Sequence, residues 1–409
     1  MNCRFCGKTL THEFIDLVNA PPSNAFLTKE RLNEPEVFYP LKLFVCDSCF
    51  LVQIDEYKKS MDIFDSGYVY FSSFSTTWLA HAKQYADMMI EKYGYDRNSR
   101  IIEIASNDGY LLQYFKARGI PSLGIEPAEG TANEARKKGI ETIVDFFGKK
   151  FAQSLVDQKG KADLLIGNNV LAHVPDLHDF VAGLKIALKP SGIITMEFPH
   201  LMQLVNDCLF DIIYHEHFSY LSFMTVRSIF QHHGLELFDV EEFPTQGGSL
   251  RIFARHAEDS TKKISENVEI RLKKELSRGL DTIAYYGNFQ NKADHIKYDL
   301  LKFLIEQREN GRKVAAYGAA AKGNTLLNYC GIRKDLIPFV VDASPHKQGK
   351  YLPGSHIQVV GEEEIKNYKP DYVLILPWNI KEEIMAQLDY IRAWEGKFVV
   401  PIPNLSVMS

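Results

Sequence analysis

The sequence lacks three features that would assign it to a specialised class of protein. Its 409 residues carry a formal net charge of −5 and no long basic run, so they offer no broad positive field to nucleic acid or anionic lipid. The longest apolar runs, such as YVLIL at 372–376, are far below the roughly 20 residues of a membrane span. The first residues, MNCRFCGKTL, contain no apolar signal-peptide core. We therefore expect a cytoplasmic protein that binds neither nucleic acid nor membranes.

Cysteine is scarce but patterned. Four of the six cysteines form two C-x-x-C pairs, Cys3/Cys6 and Cys46/Cys49. In a reducing compartment such pairs can place four thiolates around a Zn²⁺ ion. Because four ligands leave no open position, the predicted zinc is structural. The stretches YPLKLFVC and FLVQID are typical of strands, so we expect a small zinc-binding β module over residues 1–75, although a redox dithiol stays an alternative.

The dinucleotide fingerprint G-x-G-x-x-G is also missing from the next region, residues 76–254. There the segment RIIEIASNDGYLLQYFKARG is typical of strand, loop and helix, and PSLGIEPAEGTANEARKKG repeats that order. Further strand candidates are ETIVDFF, ADLLIGNNVLAHV and SGIITMEFP. This alternation predicts a doubly wound parallel sheet.

Polar residues recur where the predicted strands end, which is where such sheets bind ligands. Glu126 can accept from two ribose hydroxyls, Asp145 can meet an adenine amino group, and Gly109 allows close backbone approach. No phosphate cradle accompanies them, so a nucleoside ligand such as S-adenosylmethionine fits better than NAD. Helix capping or a solvated loop position is the alternative for each. The predicted cofactor-binding residues are Glu103, Asn107, Asp108, Gly109, Glu126, Pro127, Asp145 and Asn168.

Residues 255–409 predict a second Rossmann-like domain. After a connecting helix with Leu272, Leu276, Leu280 and Ile283 on one stripe, the segment GRKVAAYGAAAKGNTLLNYCG reads as strand, small-residue turn and helix. The free N–H groups at the start of that helix favour an anion such as a phosphate or diphosphate. The small residues could instead serve close helix packing. The predicted substrate-binding residues are Lys322, Gly323, Asn324, Thr325 and Lys347.

The stretch YHEHFSYLS at 214–222 concentrates ionisable side chains. An imidazole is partly available to accept a proton near neutrality, so general-base chemistry is one interpretation. A metal site usually needs three protein ligands, and H-E-H lacks the helical spacing of H-E-x-x-H. If the segment were extended, His215 and His217 would share one face and Glu216 the other. Metal binding and simple core packing stay open alternatives.

Six blocks of sequence, taken together, resemble one known family. CRFCG with CDSC, YVYFSSFS, IIEIASNDGYLL, NNVLAHVPDL, YHEHFSYLS and VAAYGAAAKGNTLLNY occur in this order across nearly the whole chain. This pattern is similar to that of the sugar C-methyltransferases, which act on nucleotide-linked 4-ketosugars, typically at C3 of a dTDP-deoxysugar. The resemblance implies an α/β protein with a zinc-binding module (1–75), a central S-adenosylmethionine methyltransferase domain (76–254) and a C-terminal Rossmann-like domain (255–409) that helps to hold the nucleotide sugar.

Methylation at carbon requires removal of a proton beside a carbonyl and stabilisation of the enolate. His217 is the predicted base, the role that the family gives to the second histidine of YHEH. Glu216 would orient that base or bind the sugar, Tyr214 would donate to the enolate or position the substrate, and His173 would stabilise the oxyanion. Tyr68 falls where the family places an active-site tyrosine, and His215 is expected to play only a supporting part.

Two other classes of function stay open from the sequence. One is an O- or N-methyltransferase acting on another small molecule, which would need a base but no enolate stabiliser. The other is a non-enzymatic protein that binds zinc and nucleotides. The sequence is compatible with a monomer.

Overall fold

The computed structural model describes residues 1–63 and 70–409, and their helices and strands fall into three segments. The N-terminal segment contains β1 (His12–Ala20), β2 (Tyr39–Val45), β3 (Val52–Ile54) and the short helix α1 (Ser60–Ile63). The central segment contains α2 (Thr76–Tyr93), β4 (Ile101–Ile104), α3 (Leu112–Ala117), β5 (Ser122–Ile125), α4 (Glu129–Lys137), β6 (Glu141–Ile143), α5 (Lys149–Lys159), β7 (Ala162–Asn168), α6 (Leu177–Ala187), β8 (Leu188–Pro199), α7 (Leu201–Asn206), β9 (Ser219–Tyr220), α8 (Phe223–His232), β10 (Leu235–Phe243) and β11 (Ser249–His256).

The C-terminal segment begins with two helices and continues as alternating strands and helices. Its elements are α9 (Glu266–Ser277), α10 (Phe289–Glu309), β12 (Val314–Tyr317), α11 (Ala321–Cys330), β13 (Phe339–Val341), β14 (Gln358–Val360), α12 (Glu363–Tyr368), β15 (Tyr372–Ile375), α13 (Lys381–Gln387), β16 (Lys397–Val400) and β17 (Ser406–Met408).

Local sequence signals set several helix ends. The hydroxyl of Ser75 accepts from the backbone N–H of Trp78 at the start of α2, and Gly94, with φ +70°, ends that helix. Asp176 caps α6 and Ser222 caps α8 in the same way. Side-chain acceptors at helix starts and a left-handed glycine at helix ends satisfy backbone groups that the helix itself leaves unpaired.

The central sheet has seven strands in the order β10-β11-β8-β7-β4-β5-β6. Strands β8, β7, β4, β5 and β6 are parallel, while β11 runs antiparallel to β8 and β10 antiparallel to β11. From β4 the chain proceeds to β5 and β6 on one side and to β7 and β8 on the other, so the order reverses between β4 and β7. The carboxyl ends of strands at such a reversal form a crevice that binds ligands.

The C-terminal sheet repeats this arrangement with six strands in the order β14-β13-β12-β15-β16-β17. Five of them are parallel, and β17 is antiparallel to β16. The order reverses between β12 and β15, so this sheet has a crevice of its own.

The N-terminal sheet is antiparallel and joins the segments together. Its order is β1-β2-β3-β9, so its fourth strand comes from the central segment. A single hydrophobic cluster contains Leu43 of β2, Phe210 of the central segment and Leu326 of α11. Phe14 of β1 stacks on Phe289 of α10, with ring centres 4.5 Å apart. Burying these apolar faces together stabilises the contact between all three segments.

The predicted connecting helix differs from expectation in its length and its buried face. Helix α9 ends at Ser277, just before Gly279 with its φ of +83°, so the predicted stripe is interrupted. Leu276, expected on the apolar side, is 42% exposed. The buried residues of α9 are Val268, Arg271 and Glu275.

Glu275 explains why α9 docks with a charged residue inward. Its carboxylate accepts from the backbone N–H groups of Phe223 (2.6 Å) and Met224 (2.8 Å) at the start of α8. It also lies 2.6 Å from Nε2 of His200. A carboxylate at a helix N-terminus satisfies free donors and complements the helix dipole. The hydrophobic stripe gave no indication of this polar contact.

The expected α/β architecture with three parts is confirmed. The antiparallel pair β10 and β11 was not predicted, and the predicted boundary after residue 254 falls inside β11. Within residues 1–63 and 70–409, no helix combines the length and hydrophobicity that crossing a membrane requires.

Candidate active site

A cavity of about 570 Å³ lies where the three segments meet. Its wall contains the carboxyl ends of the central sheet on one side and those of the C-terminal sheet on another. A volume of this size is usual for a small-molecule or cofactor site. Residues from every segment line it, among them Asn24, Trp78, Asn107, Tyr110, Glu126, Asp145, Asn168, His173, Tyr214, Glu216, His217, Lys322 and Lys347.

Glu126 follows β5 and is the buried acid of the central-sheet crevice. Its two carboxylate oxygens accept from the backbone N–H groups of Asn107 and Ala128, both at 2.9 Å. Burial raises the pKa of this carboxyl, and the two backbone donors oppose that rise. Each oxygen keeps a further lone pair. The carboxylate is therefore held rigidly with acceptor capacity left for a ligand's hydroxyls.

Asn107 lies in the loop after β4 with a φ of +50°. Its side chain accepts from the N–H of Ser72 at 2.9 Å and donates to the carbonyl of Tyr70 at 3.1 Å. The side chain thus fastens residues 70–72 beside the crevice. Trp78, which the sequence reasoning did not single out, stacks on Tyr110 with ring centres 5.8 Å apart and lines the same cavity.

The eight predicted cofactor residues divide into two groups. The wall formed by the described residues includes Asn107, Glu126, Pro127, Asp145 and Asn168 and leaves out Glu103, Asp108 and Gly109.

The three residues outside the wall differ in their surroundings. Glu103 is fully buried in β4, which raises its pKa well above the usual value. The Asp108 carboxylate pairs with Lys138 at 3.2 Å. The φ of +74° at Gly109 favours glycine, and a Cβ there would also displace Ile140 Cδ1, at 2.4 Å. Their part in cofactor binding stays a prediction.

Residues Tyr214–His217 form a turn. An extended segment would have placed His215 and His217 on one face, and the turn does not. The N–H of His217 donates to the carbonyl of Tyr214 at 3.0 Å and closes the turn. His215 therefore faces the N-terminal segment, where Nε2 lies 3.1 Å from the carbonyl of Pro40 and the ring meets Tyr39 edge-on. His217 instead lines the cavity.

The position of the proton on His217 follows from its partner. Nδ1 lies 2.9 Å from the carbonyl oxygen of Ile212, which can only accept, so Nδ1 carries the hydrogen and Nε2 the lone pair. Burial lowers the pKa of His217 well below its usual value, and neighbouring His173 lowers it further. The ring is consequently neutral at pH 7 and can accept a proton on Nε2.

His173 and Tyr214 flank this base. The ring centres of His173 and Tyr214 lie 4.6 and 4.0 Å from that of His217. Nδ1 of His173 donates to the carbonyl of Glu216 at 2.7 Å, and burial lowers the pKa of His173 to about 4. The predicted oxyanion role would need a second ring proton, which this pKa disfavours at neutral pH.

Glu216 has a partner that the sequence did not suggest. Its carboxylate, 2% exposed, accepts from the amide nitrogen of Asn24 at 2.8 and 3.0 Å. Burial raises the pKa of Glu216 to about 7, and the Asn24 bond opposes the rise. His217 is oriented by Ile212, and both predicted roles of Glu216 stay predictions. Asn24 lies in PPSNAF, which matches no catalytic motif.

The C-terminal wall is basic. Lys322, in the first turn of α11, donates from Nζ to Asn379 Oδ1 at 2.7 Å and to Gln246 Oε1 at 3.2 Å. Burial lowers the pKa of Lys322, and the nearby carboxylate of Asp211 opposes this. Lys347 donates to the carbonyl of Ala319 at 3.0 Å. Both lysines therefore bring ammonium groups to the crevice of the second sheet.

The other predicted substrate residues lie behind this wall. A Cβ at Gly323 would lie 2.9 Å from Leu376, which fits close packing of helix on strand. Asn324 accepts from Asn328 at 3.2 Å, and the Thr325 hydroxyl donates to the carbonyl of Ile213 at 2.8 Å. Thr325 thereby holds the segment that carries His217. Their direct contact with substrate stays a prediction, and Tyr68 lies outside the described residues.

The four paired cysteines converge as the spacing predicted. Sγ atoms of Cys3 and Cys49, and those of Cys6 and Cys46, lie 3.5 Å apart, and all four fall within 4.8 Å of one another. A tetrahedral zinc with Zn–S bonds of about 2.3 Å requires sulfur separations of about 3.8 Å. The Gln53 amide donates to Cys3 Sγ at 3.2 Å, an interaction that supports thiolate character. The donor set therefore fits a structural zinc ion.

Comparison with protein families now assigns the class. Family models match three consecutive stretches of the chain: a zinc binding domain at residues 3–64, a methyltransferase domain at 66–240 and a C-methyltransferase C-terminal domain at 244–403. The protein is thus a methyltransferase with a zinc-binding N-terminal domain.

A relative defines the family more narrowly. The chain is 31% identical over 407 residues to the C-methyltransferase NovU of Streptomyces niveus, a match covering 100% of this chain and 96% of that protein. The chain belongs to the C-methyltransferase family, which confirms the resemblance seen in the sequence.

Solved structures resemble smaller parts of the chain. PH0226 of Pyrococcus horikoshii, 14% identical, covers 49% of this chain and 99% of its own with a TM-score of 0.37. The magnesium protoporphyrin IX methyltransferase ChlM of Synechocystis, solved with bound SAM, is also 14% identical, covering 43% of this chain and 78% of its own with a TM-score of 0.34.

Proposed function

We propose that this enzyme uses S-adenosylmethionine to methylate the carbon beside the ketone of a nucleotide-linked 4-ketosugar, at C3 of a dTDP-deoxysugar, and so serves deoxysugar biosynthesis. The observation that carries the proposal is one cavity lined by an acidic crevice, a neutral histidine and a basic crevice. These three parts suit a cationic methyl donor, a carbon acid and a diphosphate respectively.

The cofactor would occupy the crevice of the central sheet. When bound, S-adenosylmethionine supplies an electrophilic methyl group on a sulfonium ion. Glu126 offers acceptors for ribose hydroxyls, and Asp145 is an exposed acid further along the same edge. Among the described residues, Asn168 has a buried side-chain oxygen without a hydrogen-bond partner. An orphan acceptor of this kind is costly unless a ligand satisfies it.

The nucleotide diphosphate would occupy the opposite crevice. Lys322, in the first turn of α11 after β12, and Lys347, in the loop after β13, both line the cavity on one side of the switch point in the C-terminal sheet. Ammonium groups and free N–H groups at a helix start both favour phosphate oxygens. The ketosugar would then extend from the diphosphate toward His217.

His217 would remove the proton from the carbon beside the ketone. Nε2 accepts the proton, the electrons of the C–H bond move into the carbonyl to form an enolate, and the carbon of that enolate becomes nucleophilic. Burial disfavours the imidazolium when it stands alone, but an adjacent enolate of opposite charge favours it. The two charges therefore form together and neutralise each other inside the cavity.

Tyr214 and Glu216 would support the enolate. Burial raises the pKa of Tyr214 well above its usual value, so the phenol stays protonated and can donate to an oxyanion. Glu216 lines the same wall, with a pKa near neutrality that allows it to donate or to accept a hydrogen bond from the sugar. Placed donors of this kind stabilise developing negative charge.

Hydrogen exchange without methyl transfer would test this function. The enzyme is incubated in deuterated water with S-adenosylhomocysteine and a set of nucleotide-linked 4-ketosugars. We expect deuterium to appear beside the ketone of the true substrate with the wild-type protein and not with His217→Ala. A complete reaction that places the methyl group on oxygen or nitrogen would contradict the proposal, as would C-methylation without exchange of that hydrogen.

A further inference from the structure

Three histidines outside the cavity wall converge between the zinc-binding domain and the central sheet. His178 lies in the first turn of α6, His232 ends α8 and His233 follows it. Their ring centres form a nearly equilateral triangle with sides of 5.0, 5.1 and 5.2 Å. One nitrogen from each lies within 4.8 Å of the others.

These separations match those of imidazoles around one metal ion. With metal–nitrogen bonds of about 2.0 Å in a tetrahedral site, ring centres should lie about 5 Å apart and the bound nitrogens about 3.3 Å apart. Nδ1 of His178 and Nε2 of His233 lie 3.0 Å apart. One hydrogen bond between two imidazoles would explain the close approach of two rings, but three rings converge here.

His178 also has the supporting bond expected of a metal ligand. Its Nε2 donates to the carbonyl of Phe5 at 2.7 Å, so its proton is on Nε2 and its lone pair is on Nδ1, toward the other two histidines. Imidazoles that bind metals are usually oriented by such a bond from the second nitrogen. Phe5 lies between the zinc ligands Cys3 and Cys6 and packs edge-on against His232.

We propose that His178, His232 and His233 form a second, nitrogen-only site for a divalent transition metal, with a fourth position open to water. Imidazoles favour Zn²⁺, Co²⁺, Ni²⁺ or Cu²⁺ over Mg²⁺ or Ca²⁺. His232 and His233 stand at the C-terminal end of α8, where the helix dipole favours a cation. Because the site draws together α6, α8 and, through Phe5, the cysteine knuckle, the metal stabilises docking of the zinc-binding domain.

Cobalt titration of the full-length protein tests the site. The thiolate site is first filled with zinc, and Co²⁺ is then added while the visible and near-ultraviolet absorption is recorded. We expect one further equivalent to bind, with visible d–d bands but no thiolate charge-transfer band. His232→Ala and His233→Ala should each weaken Co²⁺ binding by at least about tenfold. His295→Ala, an exposed histidine on α10, is the matched control and should bind as wild type does.

Two results of the cobalt titration would overturn the proposal. One is total metal uptake of a single equivalent by the wild-type protein. The other is unchanged uptake by the double variant of His232 and His233, which would assign the extra metal to another place. Thermal unfolding gives a separate readout, because a metal that binds only the folded chain raises the midpoint with its concentration. The midpoint should rise with Co²⁺ in wild type and stay constant in His232→Ala. A constant midpoint in both would also contradict the site.

Discussion

The two doubly wound sheets place an acid at the equivalent strand end, Glu126 after β5 and Asp342 after β13, but the second acid is paired with Lys347 at 3.3 Å. In the central sheet the crevice between β4 and β7 is bordered by Asn107 and Asn168, with Glu126 beside it. In the C-terminal sheet the crevice between β12 and β15 is bordered by Lys322, which contacts Asn379 across it. The fold determines where a ligand lies, and the side chains at the strand ends determine its charge.

His217 lies where these two crevices meet, and its loss should have the largest effect. We expect His217→Ala to lower turnover by about 10²–10⁴, the usual contribution of a general base, while cofactor binding stays unchanged. Steady-state kinetics and calorimetric titration with S-adenosylhomocysteine measure the two quantities. His215→Ala is the control, since that ring faces the N-terminal segment. A wild-type rate in His217→Ala would remove the base from the mechanism.

Glu216 should make stability depend on pH. Its pKa is about 7 when folded, against 4.5 for an unperturbed carboxyl. As pH rises, the Glu216 carboxyl therefore ionises in the unfolded chain before it does so in the folded chain. The stabilisation that the protonated carboxyl provides below pH 4.5 is lost as pH rises through about 7. The unfolding free energy of Glu216→Gln minus that of wild type should therefore rise by about 2 to 3 kcal/mol from pH 5 to pH 8. Urea unfolding of both proteins at the two pH values measures this. A difference that does not vary with pH would show that Glu216 ionises normally.

Replacement of Glu126 should change ligand affinity only in the crevice of the central sheet. Glu126→Gln removes a charged acceptor, and we expect cofactor affinity to fall about 10- to 100-fold because hydrogen bonds to charged groups contribute about 1.5–3 kcal/mol. Affinity for the nucleotide sugar should not change. Glu129→Gln, an exposed neighbour in the first turn of α4, is the control. Equal loss of both ligands in Glu126→Gln would mean that the two crevices are not independent.

Replacing either lysine should weaken binding of the nucleotide sugar and leave cofactor binding unchanged, with smaller effects than those of Glu126→Gln. Lys322→Met should weaken nucleotide-sugar binding about tenfold, and Lys347→Met less, because Asp342 at 3.3 Å already compensates the charge of Lys347. Cofactor affinity should stay constant in both variants. Lys334→Met, an exposed lysine, is the control for general charge effects. Unaltered sugar binding in Lys322→Met would place the diphosphate elsewhere.

Features that follow from local sequence were predictable. The C-x-x-C pairs converge because four thiolates suit one ion, and Asn107, Glu126, Asp145 and Asn168 share an edge because parallel strands end together.

Contacts between distant segments were not predictable. The bond from Asn24 to Glu216 spans 192 residues, and that from Thr325 to Ile213 spans 112. Hydrophobic periodicity also misplaced the buried face of α9, since a carboxylate that caps a neighbouring helix leaves no mark on an apolar pattern.

Strand β9 begins two residues after His217 and pairs with β3, which follows the second cysteine knuckle. One strand pair therefore connects the proposed base to the zinc-binding domain. Protein depleted of zinc should still bind the methyl donor but position the imidazole of His217 less precisely. The rate per protein molecule should therefore follow zinc occupancy. An isolated central domain would behave in the same way, able to bind its donor but unable to activate carbon.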